Sequence, residues 1–182
     1  MRKLAEFPDR FAGFDQRVES WWEKHVRPHP FADKVFYSAS EVGDFGLVWL
    51  TIGATQAAFG PPHKLPEALR LAAALGAESV IVNGGIKSLF RRERPDWDQH
   101  RPQALRRPKT SSFPSGHATS AVTAALLLTQ RRTPFAPLYW VVAAIVASSR
   151  VHVKIHHASD VIGGVAVGAV LGVTLRRMLP RR

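Results

Sequence analysis

The sequence has no cysteine, two methionines, two tyrosines and few acids: 14 Asp and Glu stand against 25 Lys and Arg. Lack of cysteine excludes a disulfide framework and any thiolate metal site. The shortage of acids leaves a formal charge of +11, which points to an anionic partner: nucleic acid, phospholipid headgroups or a phosphorylated substrate. No apolar run follows the basic start MRKLAEFPDR, so a cleavable signal peptide is not expected. There is no internal repeat and no low-complexity tract. A length of 182 residues fits one domain, taken as 1–182.

What is present is apolar residue in blocks. Residues 7–26 place Phe7, Phe11, Phe14, Val18, Trp21 and Trp22 on one helical face, with Pro28 and Pro30 ending the segment. The paired tryptophans favour an amphipathic helix at a membrane interface. Five apolar segments follow, about 45–60, 71–86, 118–129, 134–149 and 161–178. Each approaches the ~20 residues that span a bilayer. Five in succession, rich in Gly, Ala and Val, predict an all-α fold: a membrane-embedded bundle of about five spanning helices over 43–178, preceded by the amphipathic segment 1–42. Gly164, Gly168 and Gly172 form a stripe for close helix packing. Glu78 and Asn83, inside the second segment, should face the bundle interior. The polar stretch 87–114 is very basic, with Lys87, Arg91, Arg92, Arg94, Arg101, Arg106, Arg107 and Lys109, and long enough to be functional.

Three chemically dense stretches sit at segment ends: KSLFRRERP (87–95), PSGH (114–117) and SRVHVKIHHASD (149–160). Antiparallel threading brings all three to one face of the bundle. There Lys87, Arg94 and Arg150 are three cations not matched one for one by carboxylates beside them. The N–H groups of Ser115, Gly116 and His117 open a helix and form an anion site. Arginine forks match phosphate oxygens, so the anion is read as a phosphoryl group. His156 and Asp160 are spaced i, i+4, in phase with the glycine stripe, and so point inward. Asp160 can hold one ring nitrogen and leave the other as nucleophile. His157 is rotated by about 100° and His152 is out of phase, which makes both bystanders or supporting residues.

The pattern K-x6-RP, PSGH and SR-x5-H-x3-D resembles the three-part signature of the type 2 phosphatidic acid phosphatase superfamily. Lys87, Arg94, Pro95, Pro114, Ser115, Gly116, His117, Ser149, Arg150, His156 and Asp160 occupy its positions. The resemblance implies a membrane lipid phosphate phosphatase. It implies that His156 attacks phosphorus and becomes a phosphohistidine, that Asp160 orients it, and that His117 protonates the leaving oxygen and then activates water. It implies that Lys87, Arg94, Ser115, the Gly116 backbone and Arg150 hold the phosphoryl oxygens, with no cofactor and no metal. Family members often carry another spanning helix at the N-terminus; here the amphipathic segment takes its place.

A zinc or iron site is the rival for the histidine cluster, but adjacent His156 and His157 cannot both face one ion from a helix, and the cations would repel it. Two other readings are a non-catalytic protein binding anionic lipid and a soluble acid phosphatase of the same superfamily. The implied partners are a lipid phosphate substrate and membrane lipids, not nucleic acid, in a bacterial plasma membrane crossed several times. Seventeen Lys and Arg fall on the site side and eight opposite, which favours a cytoplasmic site.

Overall fold

The computed structural model describes residues 5–6, 9–96, 105, 108–130 and 133–178. Phe7, Arg101, Arg106 and Arg107 lie outside them. Seven α-helices carry the described chain: α1 (Ala12–His25), α2 (Pro30–Val42), α3 (Leu47–Phe59), α4 (Lys64–Ser79), α5 (Gly116–Leu128), α6 (Ala136–His152) and α7 (Ala158–Met178). A two-residue parallel pairing joins β1 (Ala5–Glu6) to β2 (Phe90–Arg91). Helices α3 to α7 hold the five expected apolar segments, so the all-α expectation stands.

Helix α2 departs from the sequence reading. Pro30 does not end a segment; it occupies the first turn of a new helix, where its fixed φ suits the helix and its missing N–H costs nothing. From α2 the chain turns sharply into α3 through Phe45 and Gly46, both left-handed at φ 55° and 69°. Glycine takes this conformation freely, whereas Phe45 carries backbone strain there. The end of α4 also departs from regularity. Val80–Gly85 forms a π turn, followed by a 3-10 turn at Ile86–Leu89. Such turns change the helical phase, often at functional sites; here Glu78, Asn83 and Lys87 all line one cavity.

Helix α5 is central, and most of its residues are buried, Thr119 and Thr123 included. It packs on α7 through the glycine stripe. A Cβ at Gly164 would stand 2.5 Å from the Ser115 carbonyl oxygen, and one at Gly168 2.6 Å from that of Thr119. Real side chains do not come so close, so only glycine permits this helix spacing. Thr123 Oγ1 also donates to the Gly168 carbonyl at 3.2 Å. The outward positions of α7 are Ile162, Val165, Val170 and Val173, all exposed. Thus α7 buries glycine and exposes β-branched apolar residues, the inverse of a helix on a water-soluble core. By length and composition α7 can cross a membrane, and α5 is a shorter apolar helix.

Candidate active site

The three dense stretches meet. Lys87, Gly116, His117, Arg150 and His156 line one cavity of about 630 Å³, together with Glu78, Asn83 and Asp44. Lys87 follows the π turn, Gly116 and His117 open α5, Arg150 ends α6, and His156 lies in the turn between α6 and α7. This is the convergence that antiparallel threading demands.

His156 is not on a helix, since α7 begins at Ala158. Its phase with the stripe comes instead from the turn, in which the His156 N–H donates to the Arg150 carbonyl at 3.1 Å. Nδ1 stands 3.5 Å from Asp160 Oδ2 and 3.4 Å from Ser112 Oγ. Nε2 stands 3.2 Å from an Arg94 nitrogen. One nitrogen therefore faces the carboxylate and the other faces the cation. Burial pushes the imidazole down to about 3; the Asp160 carboxylate opposes this, and Arg94 and Arg150 add to it. The ring is thus neutral, as a nucleophile must be. Asp160 is fully buried and well held: Oδ2 accepts from Ser112 Oγ at 2.5 Å and from the His157 N–H at 2.9 Å, while Oδ1 accepts from Arg92.

The arginines are held by hydrogen bonds. Arg94 donates to the carbonyls of Ile155, Thr110 and Ser111 at 3.0 to 3.3 Å. Arg150 donates to Ser40 Oγ on α2. Lys87 is buried; that burial pushes its ammonium down to about 8, with Arg94 and Arg150 adding and Asp160 and Glu78 opposing. Three cations thus share a poorly hydrated space, which favours a multiply charged anion. Ser115 N–H donates to the Asp160 carbonyl at 3.0 Å, so it is not a free donor as the sequence suggested. Gly116 and His117 N–H remain at the helix start, where no preceding turn supplies a carbonyl. Ser115 Oγ is buried and has no hydrogen-bond partner among the described residues.

His117 Nε2 lies 3.1 Å from the Ser40 carbonyl and 3.2 Å from Asp44 Oδ1. Room for the ring comes from Gly43, where a Cβ would stand 2.7 Å from His117 Cδ2.

Residues 67–182 match the PAP2 superfamily. The chain belongs to that family. Across 135 residues it is 37% identical to a decaprenylphosphoryl-5-phosphoribose phosphatase of Mycobacterium tuberculosis, covering 73% of this chain and 72% of the relative. It is 29% identical to a lipid A 4'-phosphatase of Porphyromonas gingivalis over 160 residues, which cover 79% and 64% of the two chains. In fold it resembles a transmembrane PAP2-type phosphatidylglycerolphosphate phosphatase from Bacillus subtilis, with a TM-score of 0.66 and 23% identity over 94% of this chain and 87% of the other.

Several residues in and around the candidate site escaped the sequence reading. Ser40, Gly43 and Asp44 precede the region matched by the family. Ser112 sits in the loop entering PSGH, and its one local signal was a run of small polar residues before a proline. Asp15 reads as a surface charge on α1, yet it is the buried residue of that helix. The two tryptophans also divide: Trp21 is exposed, while Trp22 Nε1 donates to His152 Nδ1 at 2.9 Å. His152 Nε2 meets Asp33 at 2.8 Å. His152 therefore ties α1 and α2 to the end of α6 and does not line the cavity. The inward side of α1 thus combines the buried Asp15 with partly buried apolar residues of the expected face, Phe14, Val18 and Trp22, the last packed on Phe36.

Proposed function

We propose that this PAP2 protein is an integral-membrane phosphatase that hydrolyses a lipid phosphate or diphosphate through a phosphohistidine on His156, with no metal ion. The observation that carries this reading is the cavity in which the buried cations Lys87 and Arg150, with the half-buried Arg94 beside them, surround a neutral histidine backed by a buried carboxylate. Substrate phosphoryl oxygens bind Lys87, Arg94, Arg150, Ser115 Oγ and the Gly116 N–H. Arg94 then exchanges its contact with His156 for one with the phosphoryl group. His156 Nε2 attacks phosphorus in line, and the N–P bond forms as the P–O bond to the leaving group breaks. Asp160 takes up the charge developing at Nδ1–H. Ser40 and Asp44 engage His117 Nε2, which leaves Nδ1–H to protonate the departing oxygen. Neutral His117 then takes a proton from water, whose oxygen attacks phosphorus; the N–P bond breaks and inorganic phosphate leaves.

Helices α3 to α7 pass alternately away from and toward the site, which supports five spans, with α1 and α2 across the site end. The exposed apolar faces of α3, α4, α6 and α7 support contact with lipid. The site would thus lie near the membrane plane, where it can take a phosphate from a lipid. Polyprenyl and glycerol lipids are the favoured class, in line with what the relatives are named for. The Lys and Arg balance supports a cytoplasmic site in a bacterial plasma membrane.

The test is phosphate release by detergent-solubilised protein from polyprenyl and glycerol lipid phosphates, with a metal chelator present. Release that persists with the chelator and vanishes in His156→Ala supports the reading. Folded protein that binds these lipids without turnover would make it a lipid binder instead.

A further inference from the structure

Asp15 and Arg92 are charged, buried and unused by the reaction above. Neither is a specified position of the family's three-part signature: Asp15 lies outside it and Arg92 at one of the variable positions of K-x6-RP. Arg92 has 10% of its side chain exposed and Asp15 6%. One Arg92 nitrogen donates to Asp160 Oδ1 and to Ser159 Oγ at 2.8 Å; the other donates to Asp15 Oδ2 at 2.5 Å. Asp15 also accepts from the Ser159 N–H at 2.8 Å and from its hydroxyl at 2.7 Å. Arg92 contributes its backbone as well, for its carbonyl accepts the Ser112 N–H at 3.0 Å. Ser112 in turn donates to the other oxygen of Asp160. Both oxygens of the carboxylate behind His156 are therefore fixed through Arg92.

The charges explain why Asp15 is needed. Arg92 alone would neutralise Asp160 and leave it little pull on the His156 Nδ1–H. A second buried carboxylate offsets the guanidinium and restores a net negative charge behind the nucleophile. We propose that Asp15, supplied by the N-terminal helix α1, and Arg92 are positioning residues for phosphoryl transfer that set the place and charge of Asp160. Helix α1 is then part of the catalytic apparatus and not only an anchor at the membrane surface. This inference rests on the assignment of Asp160 and His156 above.

The test compares Asp15→Asn, Arg92→Gln, the double variant and Asp160→Asn in the full-length chain in detergent. Farnesyl diphosphate and dioctanoyl phosphatidic acid serve as probes, and thermal unfolding is followed in parallel. Asp15→Asn should lower kcat by roughly tenfold with KM unchanged, because the nucleophile and not the phosphate cradle is disturbed. The double variant should be no slower than Arg92→Gln, since Asp15 acts through Arg92. Normal kcat in folded Asp15→Asn, equal changes in kcat and KM, or additive losses would overturn the proposal. Should Asp15→Asn fail to fold, Ser159→Ala decides. It removes the hydroxyl contacts to both residues and should lower kcat by roughly threefold at constant KM; an unchanged kcat would overturn the proposal. An active Asp160→Asn, or a native protein silent on both probes, would instead remove the assignment on which the inference rests.

Discussion

His152 and His156 lie four residues apart, both are buried, and each faces an aspartate, yet their surroundings differ in kind. His152 is the tighter pair: Asp33 stands at 2.8 Å from one nitrogen and the Trp22 indole donates to the other at 2.9 Å. Both of its nitrogens are used. His156 stands at 3.5 Å from Asp160 and presents its second nitrogen to Arg94 and the cavity. A histidine saturated by internal partners is a structural tie. One backed by a carboxylate on one side and facing, at a cavity, a cation that a phosphoryl group can displace has a nitrogen available for chemistry. On the proposed assignment, the shorter hydrogen bond does not mark the nucleophile; the occupant of the opposite nitrogen does.

The comparison breaks most visibly by exchange of roles. His156→Ala should lower turnover by at least about 1,000-fold, as loss of a nucleophile does, while His152→Ala should keep it within about threefold; phosphate-release assays on both variants decide. Gly43→Ala comes next. Its Cβ would stand 2.7 Å from His117 Cδ2 and 2.9 Å from the Ala39 carbonyl. The displaced ring should cost about 100-fold in kcat, since a misplacement of ~1 Å has that effect. Steady-state kinetics of the variant check this, and near-native kcat would contradict the assigned position of His117.

A smaller effect concerns pH. Burial lowers Lys87 to about 8, so the lysine is charged below that pH and neutral above it. The pH profile of kcat/KM, which reports the free enzyme, should fall above about 8. Lys87→Arg keeps its charge at every accessible pH and should remove that descending limb. The smallest expected effect is on stability. His152→Ala leaves the Trp22 N–H without its acceptor and should cost about 1–3 kcal/mol, measured by denaturant unfolding in detergent against Trp22→Phe, which should cost less.

The sequence made the bundle and its cluster of cations legible for local reasons. The apolar blocks, the glycine stripe and the motif residues at helix ends all show within a few positions of one another. Convergence then followed from antiparallel threading alone. What escaped acts across the chain. Asp15 meets Ser159 from 144 residues away, and Arg150 meets Ser40 across 110. No local pattern marks such partners, and an acid on a helix dotted with other charges looks solvated. Pro30 misled because proline both ends and begins helices. His156 faces Asp160 and the cavity, but a turn, not helical phase, aims it there.

The central claim is that His156 forms a covalent bond to phosphorus. Rapid quenching of the native protein, His156→Ala and His117→Ala with a lipid phosphate carrying radiolabelled phosphorus tests it most directly. The predicted result is an acid-labile, base-stable label on the native chain, none on His156→Ala, and more on His117→Ala, whose water-activating group is gone. A native protein that turns over without labelling, or a label that survives His156→Ala, would contradict the account.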